Sequence, residues 1–326
     1  MPKIQMRDDK QKNPSSARQQ RIIEKREREE REERERRQQA IIGVIVTIIV
    51  MAMLVTVGVA AYQALSQPNE TEQMQIERSK QAKKRLKKDG AKYKPEVVNS
   101  NGGILISKLG YNKPVAKAPT VASYFDPLCP GCGNFNRTSD KTLISMVKAG
   151  QINLELHPMS SLDKFTVDHY STRVTGAVIY IASHDNNPKH LLQFVNNIFS
   201  KEFQPEEGRD YKPVSNEELI NLAKKSGVSE EVASKAFDRQ YLKWQDLINE
   251  CTPDFKELLN VSGDNKGSMT TPTVTINGKL LDINAASEKN MKIIDALLHC
   301  IGLDKKQVGV AGQMPKVSST DSPIGL

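Results

Sequence analysis

Two cysteines separated by two residues, Cys129 and Cys132, follow an apolar run that predicts a buried strand over residues 120–125. Two such cysteines can form a small disulfide that is readily exchanged. If a helix begins at Cys129, its sulfur meets unpaired backbone N–H groups and the positive end of the helix dipole, which lowers the pKa of the thiol. Pro130 suits this position because proline is tolerated in the first helical turn. The motif therefore predicts a strand, a nucleophilic cysteine and a helix in succession.

Strand and helix patterns alternate around this motif. The helix that begins near Cys129 is predicted to extend to Lys148, and residues 152–156 alternate like a second strand. A strand, a helix and a strand in this order form a βαβ unit with parallel strands and a right-handed crossover. Several amphipathic helices are predicted downstream, the last of them over residues 230–248. The remaining predicted elements are an edge strand at 104–106, strands at 273–276 and 279–281 joined by a turn at Asn277-Gly278, and a closing helix at 288–301.

An apolar segment near the N-terminus predicts a membrane anchor. Residues 40–62 contain no charged side chain and are about 23 residues long, enough to cross a bilayer at ~1.5 Å per residue. A cleaved signal peptide is the alternative, because small residues at 59–61 could form a cleavage site. Such a peptide normally has a shorter apolar region of ~7–15 residues and a shorter charged arm before it. We therefore predict an uncleaved signal anchor, a single transmembrane helix over residues 40–62.

The basic residues that flank this segment predict its orientation. Eight Lys and Arg lie between Arg21 and Arg37, whereas the first twenty residues after the segment contain only Arg78 and Lys80. Cytoplasmic flanks carry the excess of Lys and Arg, so we expect a cytoplasmic N-terminus and an extracytoplasmic catalytic domain at the cell membrane. That side of the membrane is oxidising, which suits thiol–disulfide chemistry.

The net charge of +8 arises before residue 96, and residues 96–326 are close to neutral. A folded domain without excess positive charge has no electrostatic footprint for nucleic acid, so we expect no nucleic-acid partner.

Composition divides the chain into successive parts. They are a charged cytoplasmic tail at 1–39, the transmembrane helix at 40–62, a lysine-rich solvated stalk at 63–98, a folded domain at 99–304 with a helical insertion at about 164–250, and a disordered tail at 305–326.

The order βαβ, helical insertion, ββα, with a cysteine pair at the first helix, resembles the thioredoxin fold with the helical insertion of DsbA-like thiol–disulfide oxidoreductases. The resemblance extends over about residues 103–303. The residues that carry it are Asp126-Pro127-Leu128-Cys129-Pro130-Gly131-Cys132 and Thr271-Pro272-Thr273-Val274-Thr275-Ile276-Asn277-Gly278. It implies an α/β fold and a membrane-anchored oxidoreductase that uses its cysteines and no cofactor.

The resemblance also implies roles for individual residues. Cys129 forms the mixed disulfide with a client protein, and Cys132 resolves it. In the family, a proline before the third strand is cis and packs against the active-site disulfide, and Thr271-Pro272 matches that position. A cis bond there places the backbone of Thr271 beside the sulfurs, ready to pair with an extended substrate peptide. Asp126 is expected either to accept a proton or to cap a turn.

A zinc site is the main chemical alternative for the cysteine pair. Zinc needs four ligands, and the sequence has no second CxxC and no suitably spaced Cys/His pair. His157 follows a strand and is expected in a turn or at the surface, and surface positions are expected for His169, His184 and His190. We therefore expect no metal.

The remaining cysteines, Cys251 and Cys300, complete an even count. In an extracytoplasmic protein, we expect them to form a structural disulfide that ties the insertion to the last helix. Closing a loop of about 50 residues contributes roughly 4 kcal/mol in the chain-entropy description. A second redox relay that exchanges electrons with the active pair is the alternative.

The sequence thus leads us to expect an oxidase that acts on exported, cysteine-containing client proteins and is recycled by a membrane redox partner. An envelope reductase or isomerase, and a non-catalytic thioredoxin-like peptide-binding module, are the alternatives. Pro130-Gly131 stands where strong oxidants of the DsbA type carry Pro-His. A histidine there helps to stabilise the thiolate, so its absence predicts a less depressed pKa for Cys129 and a less oxidising pair.

Overall fold

The computed structural model describes residues 72–317 of the chain. The predicted cytoplasmic tail at 1–39 and the predicted transmembrane helix at 40–62 lie outside the described residues. No helix within 72–317 combines the length and the apolar composition that crossing a membrane requires.

One six-stranded sheet carries the fold. In chain order its strands are β1 Ile104–Ser107, β2 Gly110–Tyr111, β3 Thr120–Phe125, β4 Asn153–Pro158, β5 Thr273–Ile276 and β6 Lys279–Leu280. The helices are α1 Glu72–Gly90, α2 Pro130–Ala149, α3 Tyr170–His184, α4 Pro188–Ile198, α5 Asn216–Lys225, α6 Glu230–Lys235, α7 Leu242–Cys251, α8 Ile283–Glu288 and α9 Ile293–Cys300. Short 3-10 turns occupy Ser161–Phe165, Gly208–Asp210, Thr252–Asp254, Lys256–Leu258 and Lys305–Gln307.

The strand order β2-β1-β4-β3-β5-β6 confirms the predicted βαβ unit. Strands β3 and β4 are parallel, and α2 connects them. Strand β5 lies antiparallel on the other side of β3. The strand predicted at the edge, β1, is instead second in the sheet, because Gly110 at φ 107° turns the chain back and the short strand β2 pairs beside it.

This topology brings three loops together at the C-terminal ends of β3 and β4. The loop after β3 carries Cys129, and the loop after β4 leaves from the same end of the sheet because β3 and β4 are parallel. The loop before β5 carries Thr271 and arrives at that end because β5 is antiparallel to β3. Two cysteines and a threonine–proline pair that are far apart in sequence therefore meet.

Two predicted helices are broken where a residue adopts left-handed backbone. The helix predicted over 230–248 is divided into α6 and α7, and Arg239 between them has φ 56°. The closing helix predicted over 288–301 begins only at Ile293, after Asn290 at φ 53°. Left-handed backbone interrupts the helical hydrogen-bond ladder, and hydrophobic periodicity alone does not reveal such a break.

Helix α1 packs on the domain, so the prediction of a solvated stalk is wrong from residue 72 onward. Its buried residues Ser79, Ala82, Leu86 and Gly90 repeat at helical spacing. Arg78 pairs with Asp254 at 3.2 Å, and Lys83 pairs with Glu257 at 2.7 Å. The sequence did not reveal this stripe, because its buried residues recur only about once per turn within a lysine-rich segment.

The C-terminal segment after residue 304 also packs on the domain, which corrects the prediction of disorder for residues 305–317. The buried side chain of Gln151 donates to the carbonyls of Gln307 and Gln313 at 2.7 Å each, and it accepts from the N–H of Gly309 at 2.8 Å. The N–H of Lys316 donates to the carbonyl of Ile301 at 2.8 Å. Residues 318–326 lie outside the described residues.

We predict that Leu86→Ala lowers the free energy of unfolding by about 2–5 kcal/mol, because Leu86 is 2% exposed and its truncation leaves a cavity under α1. The measurement is urea unfolding of residues 71–326, followed by the fluorescence of Trp244, the single tryptophan, which lies beside Gly90 of the same helix. Lys84→Ala is the control because Lys84 is exposed. Equal stability of the two variants would mean that α1 does not support the domain.

Candidate active site

Cys129 occupies the N-cap of α2. Its backbone is extended, with φ −65° and ψ 119°, and its Sγ accepts a hydrogen bond from the N–H of Cys132 at 3.3 Å. Pro130 takes the first helical position, where the missing N–H costs nothing. Because the sulfur replaces the oxygen of an ordinary N-cap residue, the thiolate receives the unpaired donors of the helix start.

The surroundings of Cys129 lower the pKa of its thiol to about 6. The hydrogen bond from the Cys132 side chain is the largest cause, and the Thr271 side chain and the backbone amides of Cys132 and Gly131 act in the same direction. Burial opposes them but does not prevail. The site therefore favours a thiolate at Cys129 near neutral pH.

The second cysteine has the opposite character. Cys132 is 0% exposed, and burial raises the pKa of its thiol well above the ordinary value. Cys129 retains 7% of its surface. An incoming sulfur therefore meets Cys129 first, and Cys132 is held protonated behind it. A dithiol with one acidic sulfur that is buried but not completely, and one sulfur that is fully buried, is equipped for thiol–disulfide exchange.

The Thr271–Pro272 segment lies against the cysteine pair. The peptide bond between these two residues is cis, as the family resemblance implies. In its protonated form, the Sγ of Cys129 donates to the carbonyl of Thr271 at 3.2 Å. A side chain on Gly131 would begin 3.1 Å from Cδ of Pro272, so the glycine permits the close approach of this loop.

Asp126 is buried beneath the active-site loop. Its carboxylate accepts from the N–H of Leu128 at 3.0 Å, from the N–H of Leu162 at 2.9 Å and from the hydroxyl of Ser171 at 2.5 Å. Burial raises the pKa of Asp126 to about 7 against the effect of these donors. The backbone amide of Asp126 faces Cys132. Asp126 thus caps the turn and is also able to hold a proton next to the dithiol.

Two polar side chains that the sequence did not single out complete the site. Gln204, from the insertion, donates to the carbonyls of Pro127 at 3.2 Å and Cys129 at 3.0 Å. Arg137 of α2 donates to Gln204 Oε1 at 2.9 Å. Gln204 lies in a polar loop without periodicity, so no local pattern marks it; only the folded insertion brings it to Cys129.

The structure corrects the expectation for His157. This residue is 3% exposed, its ring stacks on Tyr124 at 4.0 Å between centroids, and its Nε2 lies 2.6 Å from Glu155 Oε1. The sequence predicts that the strand ends at residue 156, but β4 extends to Pro158 and includes His157, which pairs with Tyr124 of the neighbouring strand β3. His169 and His184 are exposed as predicted, and His190 is half-buried.

The second cysteine pair lies on two different helices. Cys251 ends α7 and Cys300 ends α9, and both side chains are buried. Helix α7 packs against α1 and α3, whereas α9 packs against α2 and α8. The disulfide between Cys251 and Cys300 stays a prediction.

Among curated proteins, a stretch of 112 residues is 32% identical to the serine/threonine-protein kinase PknE of Mycobacterium tuberculosis. The match covers 34% of this chain and 19% of the kinase, so the chain spans a minor part of that protein and takes no activity from it.

Solved structures of disulfide-forming proteins are also similar. DsbA of Mycobacterium tuberculosis has 24% identity and a TM-score of 0.44 over 60% of this chain and 94% of its own. DsbG of the same organism has 24% identity and a TM-score of 0.45 over 64% and 93%. The thiol–disulfide oxidoreductase MdbA of Actinomyces oris has 23% identity and a TM-score of 0.44 over 58% and 82%. These likenesses alone decide nothing about activity.

The match to a whole family is broader. The family described as thioredoxin matches residues 114–296, more than half of the chain. This range begins before β3 and ends within α9, so it contains both cysteines of the site and the Thr271–Pro272 segment. The chain therefore belongs to the thioredoxin family.

Proposed function

We propose that this protein is an extracytoplasmic thiol–disulfide oxidase that donates the Cys129–Cys132 disulfide to exported proteins. The observation that carries the proposal is the contrast between the two sulfurs, one partly accessible with a lowered pKa and the other buried with a raised pKa. A stabilised thiolate favours the reduced form of the pair. A pair whose reduced form is stabilised is a stronger oxidant.

The exchange proceeds in two displacements. A client thiolate attacks Sγ of Cys129 in the disulfide, a mixed disulfide forms, and Cys132 leaves as a thiolate. A second client thiolate then attacks the client sulfur of the mixed disulfide and releases the Cys129 thiolate. Two client thiols are oxidised to one disulfide, and the Cys129–Cys132 pair takes up the two electrons. The low pKa of Cys129 makes it a good leaving group in the second step.

The carbonyl and side chain of Thr271 border the place where the client sulfur must sit, since both interact with Cys129. An extended client segment can pair with this backbone by main-chain hydrogen bonds. Thr271 and Pro272 are therefore assigned to client binding. Main-chain pairing is independent of side chains, which suits an enzyme with many exported clients.

The reduction potential of the Cys129–Cys132 pair tests the proposed direction of electron flow. We expect a value above about −200 mV, in the range of disulfide donors, when the full chain in detergent is equilibrated with glutathione buffers. Alkylation and peptide-resolved mass spectrometry report the pair separately from Cys251 and Cys300. A value near or below about −260 mV would replace the oxidase with a reductase. A pair that cannot be cycled would leave a peptide-binding module.

We predict that Gly131→His makes the same pair more oxidising. An imidazolium beside Cys129 stabilises its thiolate, and each tenfold gain in the equilibrium constant raises the potential by roughly 30 mV. Gly131→Ala is the matched control, because it introduces the same Cβ contact at 3.1 Å from Pro272 without the imidazole. Equal potentials for the two variants would show that the dipeptide does not tune this site.

Asp126 is assigned to proton transfer with Cys132. When Cys132 leaves as a thiolate it needs a proton, because its pKa is raised by burial. A carboxyl with a pKa of about 7 is partly protonated at neutral pH and can supply that proton. In the reverse step, the ionised carboxylate accepts the proton again.

We predict that Asp126→Asn slows formation of the mixed disulfide at pH 7 by roughly 10- to 100-fold, toward the lower end of general acid effects. The measurement is acid quenching and mass spectrometry with a cysteine-containing peptide. The wild-type rate constant of this step, expressed per client thiolate, should fall above about pH 7, where Asp126 ionises, and the variant should lack that fall. Asp140→Asn is the control, because burial also raises the pKa of Asp140 to about 7 but Asn196 is its partner. Equal slowing by both variants would contradict the assignment.

The location proposed for the enzyme rests on the sequence. Residues 40–62 anchor it in the cell membrane with a cytoplasmic N-terminus, and Lys and Arg before this segment support that orientation. The anchor keeps the dithiol where exported chains emerge. A membrane redox partner then removes the electrons that each client leaves on the cysteine pair.

We predict that a membrane-impermeant maleimide modifies Cys129 in intact reduced cells and leaves Cys132 unmodified, because only Cys129 retains exposed surface. Peptide-resolved mass spectrometry reads both sites. Cys129→Ser should abolish the label. Labelling of Cys129 only after lysis would contradict the extracytoplasmic location, and equal labelling of Cys132 would contradict the division of roles.

A further inference from the structure

We propose that Gln204 is a positioning residue for Cys129, and that Gly133 carries no side chain because Gln204 occupies that space. The inference rests on the proposed thiol–disulfide chemistry and assigns part of it to the helical insertion. We call the side chains of Gln204 and Arg137, with the carbonyls of Pro127, Cys129 and Phe199, the insertion clamp.

The hydrogen bonds of the insertion clamp join segments that are far apart in sequence. The amide nitrogen of Gln204 donates to the carbonyl of Pro127 at 3.2 Å and to the carbonyl of Cys129 at 3.0 Å. Arg137 Nη1 donates to Gln204 Oε1 at 2.9 Å and to the carbonyl of Phe199 at 2.8 Å. One amide thus bridges two carbonyls of the active-site loop, and one guanidinium fixes that amide to α2.

Gly133 gives an independent indication of the same contact. It is buried although it lies on the first turns of α2, and its neighbour Gly131 is exposed. A Cβ on Gly133 would lie 1.9 Å from Gln204 Oε1 and 2.7 Å from Arg137 Nη1. Both atoms are the ends of flexible side chains, so a methyl group would displace them rather than the backbone. Gly133 therefore provides the space in which the insertion clamp closes.

The clamp acts on the sulfur through the backbone. The carbonyl of Cys129 accepts from Gly133 N–H at 3.0 Å and also from Gln204, which fixes the peptide plane that follows Cys129. That plane sets the direction of the Cys129 side chain, whose Sγ receives the N–H of Cys132 at 3.3 Å. The strength of the hydrogen bonds that stabilise a thiolate depends strongly on their alignment. Loss of the Gln204 bond to the Cys129 carbonyl should therefore weaken the hydrogen bonds to the Cys129 thiolate.

The experiment measures the pH profile of iodoacetamide alkylation at Cys129, read by peptide-resolved mass spectrometry on the reduced full chain in detergent. We expect Gln204→Ala to raise the midpoint by about half a pH unit, which is a roughly threefold lower thiolate fraction below the midpoint. Gly133→Ala should raise the midpoint by the same amount, because its methyl group displaces the Gln204 side chain while residue 204 itself remains glutamine. The double variant should add nothing further, because both changes break the same contact.

Gly133→Ala separates this role from simple support of the fold. Alanine has a higher helix propensity than glycine, so a purely structural role predicts equal or higher thermal stability and an unmoved midpoint. Gln193→Ala is the matched control, because Gln193 is exposed and its side chain donates to Asn197 rather than to the active-site loop. Its midpoint should equal that of the unaltered chain.

Two results would overturn the inference. One is an unmoved midpoint in Gln204→Ala with intact circular dichroism, and the other is a shift in Gly133→Ala that Gln204→Ala does not reproduce. Failure of the proposed function is distinguishable, because it would appear in the unaltered chain as an ordinary thiol midpoint at Cys129 or as a pair that cannot be cycled. A depressed midpoint that none of these variants moves would overturn the insertion clamp alone.

Discussion

The start of α2 directly after β3 is the constraint on which the site depends. The chain leaves the sheet at Phe125 and begins a helix at Pro130, so Cys129, the residue directly before the helix, serves as the N-cap. A sulfur in that position receives donors that a helix leaves unpaired. Cys132, one turn later, points from the same helix into the protein and is fully buried. The start of this helix thus lowers the pKa of the Cys129 thiol, while burial raises the pKa of the Cys132 thiol.

The polar groups beneath this helix start tie the insertion to the thioredoxin core. Asp126 is covered by Leu162 from the 3-10 turn after β4 and by Ser171 from α3. Its burial would be costly without donors, and the segment between β4 and β5 supplies two of the three, Leu162 and Ser171. The segment between β4 and β5 is therefore more than a cover for the sheet, since it contributes to the environment of the Asp126 carboxyl beneath the active-site loop.

Much of this architecture could be predicted from local patterns. The strand at Thr120–Phe125, the helix from Pro130 and the cis proline at 272 all follow from short-range sequence and from the family resemblance. The docking of α1 could not, because three of its four buried residues are small and all four lie in a lysine-rich sequence. The breaks near Arg239 and Asn290 depend on a single backbone dihedral each. Contacts such as those of Gln204 depend on tertiary placement and leave no trace in periodicity.

The two glycines of the first turns of α2 show how three distant segments can share one small site. Gly131 leaves room for Pro272, which approaches to 3.1 Å of where a side chain would begin. Gly133 leaves room for Gln204 on a different side of the helix. Glycine weakens a helix, so two of them at its start carry a cost. The geometry explains why glycine occupies both places: a side chain at position 131 would crowd Pro272, and one at position 133 would displace Gln204. The loop that carries Thr271 therefore contacts the sulfur of Cys129, and the insertion contacts the carbonyl of the same residue through Gln204.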